Sequence, residues 1–132
     1  GWRTIDTAAP FYIQGDGMLD KQGVPYTGFM WYVFELDVPA AALGKPIRIH
    51  APTVVSEAWV WTNGEYCGRR PYIEAYMRPN AFMDLDVTGS IKAGRNVIGV
   101  RVSTSSSRVA VAEGFCGPLF LYSPKAAAPQ VR

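Results

Sequence analysis

Charge is scarce in this 132-residue chain: 18% of residues are Asp, Glu, Lys or Arg, against 48% hydrophobic. Disordered tails and typical helical cytosolic enzymes both carry more charge, so the chain is expected to fold. Neither sign dominates. Thirteen basic and eleven acidic residues, scattered along the chain, leave a formal charge of +2, which lacks the field of a duplex nucleic-acid binder. Metal donors are scarcer still. One histidine, His50, and two cysteines, Cys67 and Cys116, cannot build a zinc site from clustered nitrogen and sulfur ligands. No cofactor is expected beyond a structural calcium, for which Asp16 and Asp20 in the Gly-rich stretch Gly15–Gly23 could supply oxygen. The same stretch reads more readily as a solvated turn. No apolar run approaches the roughly 18 residues that cross a bilayer, and Gly1-Trp2-Arg3 does not open a signal peptide. These features suit a soluble, monomeric module cut from a longer chain, with no membrane or nucleic-acid partner.

What the chain does contain is strand-and-turn material. Tyr, Trp, Phe, Val and Thr fill the bulky positions, while Gly and Pro punctuate the sequence every ten or so residues. Phe29–Val38 is the first long strand candidate. Met30, Tyr32, Phe34 and Leu36 face one way along it, and Trp31, Val33, Glu35 and Asp37 the other. Pro39 ends it. Further strands are expected over Pro46–His50, Ser56–Thr62, Glu65–Gly68, Ala81–Val87, Asn96–Ser103, Arg108–Ala112 and Leu119–Tyr122. Asn63-Gly64 marks a two-residue hairpin turn with positive φ angles. Within Asn96–Ser103, Ile98, Val100 and Val102 alternate with Val97, Gly99 and Arg101. Eight or nine short strands without a long helix predict an all-β antiparallel sandwich over residues 1–122, most simply a jelly roll. Residues 123–132, rich in Ala and Pro, read as the start of a linker.

Four strings occur in a telling order: YTGFMWYVFELDVPA from Tyr26, AWVWTNGEYCG from Ala58, AFMDLDVTGSIKAGRNVIGVRV from Ala81 and GFCGPLFLY from Gly114. In that order the chain resembles the N-terminal sugar-binding domain of family 2 glycoside hydrolases, the β-galactosidase and β-glucuronidase group. The likeness spans Tyr26–Tyr122. It implies a galactose-binding-like jelly roll, related to carbohydrate-binding modules. It also implies that the catalytic glutamates lie in a separate barrel domain, so that this piece performs no chemistry. The residues agree. A glycosidase needs two carboxyl groups about 5 to 9.5 Å apart, and Asp84 and Asp86 are expected to serve the Asp-Val-Thr turn instead. Ser103, Ser105, Ser106 and Ser107 form a polar stretch without a Gly-x-Ser-x-Gly elbow. His50 reads as an ordinary strand histidine.

A sugar ring offers one C–H face and a rim of hydroxyls, so its site needs a flat aromatic surface beside hydrogen-bonding side chains. Trp59 and Trp61, two apart on one strand, share a face about 6.5 to 7 Å from each other. Arg69, Arg70, Tyr72, Tyr76 and Arg78 concentrate donors and rings in the stretch after the hairpin, where the arginines could bind hydroxyls or the acid group of a glycan. Against each stands a plainer reading: core packing for the tryptophans and a solvated loop for the rest. Asn63 matches an asparagine that, in some members of the resembling family, reaches toward the substrate, against a plain turn role, and Glu113 could line the same end of the sandwich, against an ion pair. Cys67 and Cys116 are expected as thiols more than as a bridge. The leading expectation is a non-catalytic carbohydrate-binding module of a secreted, periplasmic or cell-surface polysaccharide-degrading protein. Its expected contacts are Trp59, Trp61, Arg69, Arg70, Tyr72 and Tyr76, and its partners an oligo- or polysaccharide and the catalytic domain of the parent chain. The rivals are a structural accessory domain with no ligand of its own and a protein-adhesion module.

Overall fold

A computed structural model describes residues 2–7, 28–72, 82–104 and 114–125. The described residues form nine strands, two of them long alternating runs: β1 (Gly28–Val38), β2 (Arg48–Ala51), β3 (Val54–Val55), β4 (Ala58–Thr62), β5 (Glu65–Arg70), β6 (Met83–Asp86), β7 (Gly94–Thr104), β8 (Gly114–Phe115) and β9 (Phe120–Tyr122). One 3-10 turn, Ala40–Ala42, follows Pro39. The four-stranded sheet runs β1-β7-β4-β5, the three-stranded sheet β6-β2-β9, and β3 pairs with β8. Every pairing is antiparallel. This is an all-β sandwich, as expected. The expected strand Arg108–Ala112 and the calcium stretch Gly15–Gly23 lie outside the described residues, as does most of the expected linker.

Alternation decides what is inside. Tyr32 and Val38 of β1, Ile98, Val100 and Val102 of β7, and Ala58 and Val60 of β4 point into the sandwich, where they meet Ile49, Ala51, Met83, Val54 and Phe115 from the other strands. Met30, Phe34 and Leu36 pack partly buried against this core. Tyr32 touches Phe115 edge-on at 4.8 Å between ring centroids, and Phe34 lies 5.4 Å from the same ring. Burial pushes the Tyr32 phenol up to about 12. Cys67 and Cys116 are thiols rather than a disulfide, and burial raises the pKa of Cys116.

The β4–β5 hairpin closes through Asn63 at φ 54° and Gly64 at φ 87°, the two positive angles of the expected turn. The Asn63 side chain does more than turn the chain. Its amide nitrogen donates to Ser90 O and Asn96 Oδ1, each at 2.8 Å, and its Oδ1 accepts from the Val97 backbone at 3.0 Å. Asn96, fully buried, donates in turn to Lys92 O and Gly94 O and accepts from Lys92 N. Two asparagines thus tie the hairpin tip to the turn that feeds β7. Each buried hydrogen bond contributes about 1 kcal/mol, and leaving its partner unsatisfied costs about 1 to 3 kcal/mol. Asn96→Ala is therefore expected to lower unfolding stability by about 2 to 4 kcal/mol, read in urea as a lower midpoint with an unchanged slope; an unchanged midpoint would deny the network its role.

Candidate functional site

The outer face of the four-stranded sheet is built by the residues that alternation turns away from the core. Cross-strand register places Trp31 opposite Arg101 and Arg101 opposite Trp59, with Arg69 next in the row. The neighbouring row is Val33, Gly99, Trp61 and Tyr66. Because Gly99 carries no side chain, the rings on either side of β7 meet across it: Trp31 and Trp61 lie 4.9 Å apart. A Cβ at position 99 would sit 3.6 Å from the Trp31 ring. Trp61 continues to Tyr66 at 5.3 Å, and Phe29 approaches Trp59 at 5.9 Å. The Arg101 guanidinium lies over Phe29 at 3.7 Å and 5.2 Å from the Trp59 ring, a cation–π arrangement within the strip. Phe29 is 47% exposed, Trp31 46% and Tyr66 52%. Two ion pairs flank the strip, Arg69–Glu57 at 2.7 Å and Arg95–Glu35 at 2.6 Å.

At the outer edge of β1 the strip adjoins a cavity of about 560 Å³, bordered by Trp2, Arg3, Ile5 and Thr7 on one side and by Trp31, Val33 and Glu35 on the other. Its volume falls within the several hundred Å³ typical of small-ligand clefts. Trp31 belongs to both features, so aromatic strip and cavity form one surface.

Of the expected contacts, Trp59, Trp61 and Arg69 are brought together on this face. Arg70 is not. It points inward beside Ala58, is 6% exposed, and donates through one terminal nitrogen to Pro71 O; burial lowers its pKa. Strand β5 continues to Arg70 instead of opening into a loop after Gly68, and two successive strand residues face opposite ways. Tyr72 is exposed beyond the end of β5, and Tyr76, Arg78 and Glu113 lie outside the described residues. Asn63 takes the structural role. Phe29, Trp31, Tyr66 and Arg101 were not among the expected contacts. The signal for Trp31 and Arg101 was present in the outward half of each alternation; what it lacked was the pairing that places β1 and β4 on either side of β7.

No protein-family model matches the chain. The "Putative beta-glucuronidase" of Formosa agariphila is 31% identical over 97 residues, covering 74% of this chain and 8% of that protein. A β-glucuronidase from Ruminococcus gnavus, in complex with C6-substituted uronic isofagomine, superposes with TM-score 0.60 at 20% identity over 75% of this chain and 16% of that one. A glycosyl hydrolase family 2 member from Bacteroides cellulosilyticus superposes with TM-score 0.52 at 25% identity, over 62% of this chain and 11% of that one. The chain resembles part of family 2 glycoside hydrolases. It spans only a small fraction of each relative's length. Structural likeness at these identities establishes the fold, and the sequence match over three quarters of this chain is to a protein that carries the β-glucuronidase name.

On the other side of the sandwich Asp84 departs from the turn role expected of it. Asp86 fills that role: its Oδ1 accepts from the Thr88 backbone at 2.9 Å. Asp84 instead lies on the outer face of β6-β2-β9, on the edge strand β6. Its Oδ1 accepts from Arg48 Nε, and its Oδ2 contacts the Tyr122 hydroxyl at 2.7 Å and His50 Nδ1 at 3.1 Å. Burial alone would raise its pKa, but the hydrogen bonds from Tyr122, Arg48 and His50 outweigh that and hold the carboxyl below its ordinary value. A carboxyl with a depressed pKa in the folded state stabilises fully above the unfolded value of about 3.9 and loses that contribution as pH falls through the folded one. Asp84→Asn should thus be less stable than the parent at pH 7, with the gap between their urea midpoints closing below about pH 4. A gap that stayed constant down to pH 2.5 would contradict this assignment.

Proposed function

We propose that the chain is a non-catalytic module of a glycoside hydrolase and that it holds a glycan against the aromatic strip of the four-stranded sheet. The observation that carries this reading is the Trp31–Trp61 pair, with Trp31 half exposed and continuing into the cavity beside β1. Sugar C–H faces lie against the rings of Trp31, Trp61 and Tyr66, while Arg101 and Arg69 supply donors for hydroxyls or for the carboxylate of a uronic acid. A uronic acid is relevant because the similar proteins are named β-glucuronidases. Chemistry in such a protein belongs to residues beyond this chain, which spans 8% of the Formosa relative.

One ring stacked on one aromatic buries about 100 Å² and stabilises by roughly 2 to 3 kcal/mol. After the cost of association, two such contacts support binding in the millimolar to micromolar range. A second reading is favoured by the extent of the apolar face and its charged flanks, an apolar centre with a polar rim as at protein interfaces: the strip packs against other parts of a longer parent chain. Affinity electrophoresis through gels containing neutral or glucuronate-bearing polysaccharides separates the two. Retardation that weakens ten- to hundredfold in Trp31→Ala, with the melting temperature kept, is the expected result. A parent chain that migrates freely in every gel would favour packing within a larger protein.

A further inference from the structure

The outer face of the three-stranded sheet has the second composition a sugar needs, and none of its residues belongs to the aromatic strip. Cross-strand rows set Asp84, His50 and Phe120 side by side, and Asp86, Arg48 and Tyr122 beside them. Phe82, just before β6, stacks on the His50 ring at 5.8 Å with 29° between planes, and Tyr122 meets the same ring edge-on at 6.2 Å. Phe82, Phe120 and Tyr122 are 44%, 48% and 39% exposed. Three large rings at the surface thus surround a polar centre on rigid strands, where geometry is held more tightly than on loops.

That centre is pre-oriented. The Tyr122 hydroxyl and Arg48 Nε donate to the Asp84 carboxylate, one Arg48 terminal nitrogen donates to Asp84 O at 3.3 Å, and Arg48 also hydrogen-bonds the Tyr122 oxygen; the remaining Arg48 N–H groups and the second Tyr122 lone pair serve further bonds. His50 contacts Asp84 through Nδ1; when Nδ1 carries the proton in the neutral ring, Nε2 is an acceptor. Mixed donors and acceptors beside aromatic rings match vicinal hydroxyls, each of which both gives and takes a hydrogen bond. Charge narrows the ligand. Asp84 neutralises Arg48, and Asp86 adds a negative charge opposite Arg48 in the register, so the face offers no excess positive charge to an acidic group.

We propose that this face is a second carbohydrate site, taking the neutral pyranose units of a glycan, with Phe120 and Phe82 as stacking surfaces and His50, Arg48 and Tyr122 as hydroxyl contacts. Because the inner residues of both sheets join in one core, the two sites face away from each other and fill independently. The test is calorimetric titration of the whole chain with neutral hexasaccharides of the cello-, xylo-, manno- and galacto- series, on the parent, Phe120→Ala, Phe120→Tyr and Trp31→Ala. Two sites per chain in the parent, one in Phe120→Ala and two again in Phe120→Tyr would support the proposal. A single site removed by Phe120→Ala and kept in Trp31→Ala would also support it, and would count against the aromatic strip. A single site removed by Trp31→Ala and untouched by Phe120→Ala would overturn it while leaving the strip intact. Absence of heat with every hexasaccharide would overturn it as well.

Discussion

The register between β1 and β7 is the constraint on which the rest of the structure depends. Eleven residue pairs, from Gly28↔Thr104 to Val38↔Gly94, run without interruption, and every side chain on either strand takes its face from that pairing. A shift of one strand by a single residue would exchange its two faces, sending Tyr32 and Val100 toward solvent or Trp31 and Arg101 into the core. Such a shift is opposed by the interior, in which Ile98, Val100 and Val102 are fully buried. At its far end the ladder is anchored by Asn96 and, through it, by Asn63 of the hairpin. Fixing β7 also fixes β4, since Val60 pairs with Val100 and Trp61 with Gly99. The meeting of Trp31 with Trp61 follows from two registers and one glycine.

Much of this was legible from residue order alone. Period-two alternation in Phe29–Val38 and Asn96–Ser103 identifies the correct inner and outer sets, and Asn63-Gly64 marks the correct reversal, because both signals are local. The failures are where locality ends. Asp84 reads as a turn residue because its partners His50, Arg48 and Tyr122 lie 34, 36 and 38 positions away, and a motif read along the chain contains none of them. Arg70 reads as a loop residue because the bulge opposite Val60 and Trp61 leaves Cys67 unpaired in the ladder. Strand pairing resumes through Gly68, whose φ of 138° few other residues adopt. Beyond the bulge, Arg69 faces the tryptophans and Arg70 the interior. The two-residue strands β3 and β8 are too short to carry a period at all.

An antiparallel sheet with one face on a core ordinarily turns polar residues outward, and β1 shows where that rule is kept and where it is broken. Glu35 and Asp37 keep it, and Glu35 pairs with Arg95 of β7. Phe29, Trp31 and Val33 break it on the same face of the same strand. Since the core is closed by the opposite set of side chains, these exposed rings add little to its packing, while their contact with water carries a risk of association. The break is also bounded: it coincides with Trp59, Trp61 and Tyr66 across the sheet and stops at the Glu35–Arg95 pair. Aromatic residues placed by drift would not be expected to cluster from three strands on one sheet face and end together at a charge pair. A local violation of an otherwise consistent pattern is where function is expected to be found, and here the violation has the outline of a surface that something else covers.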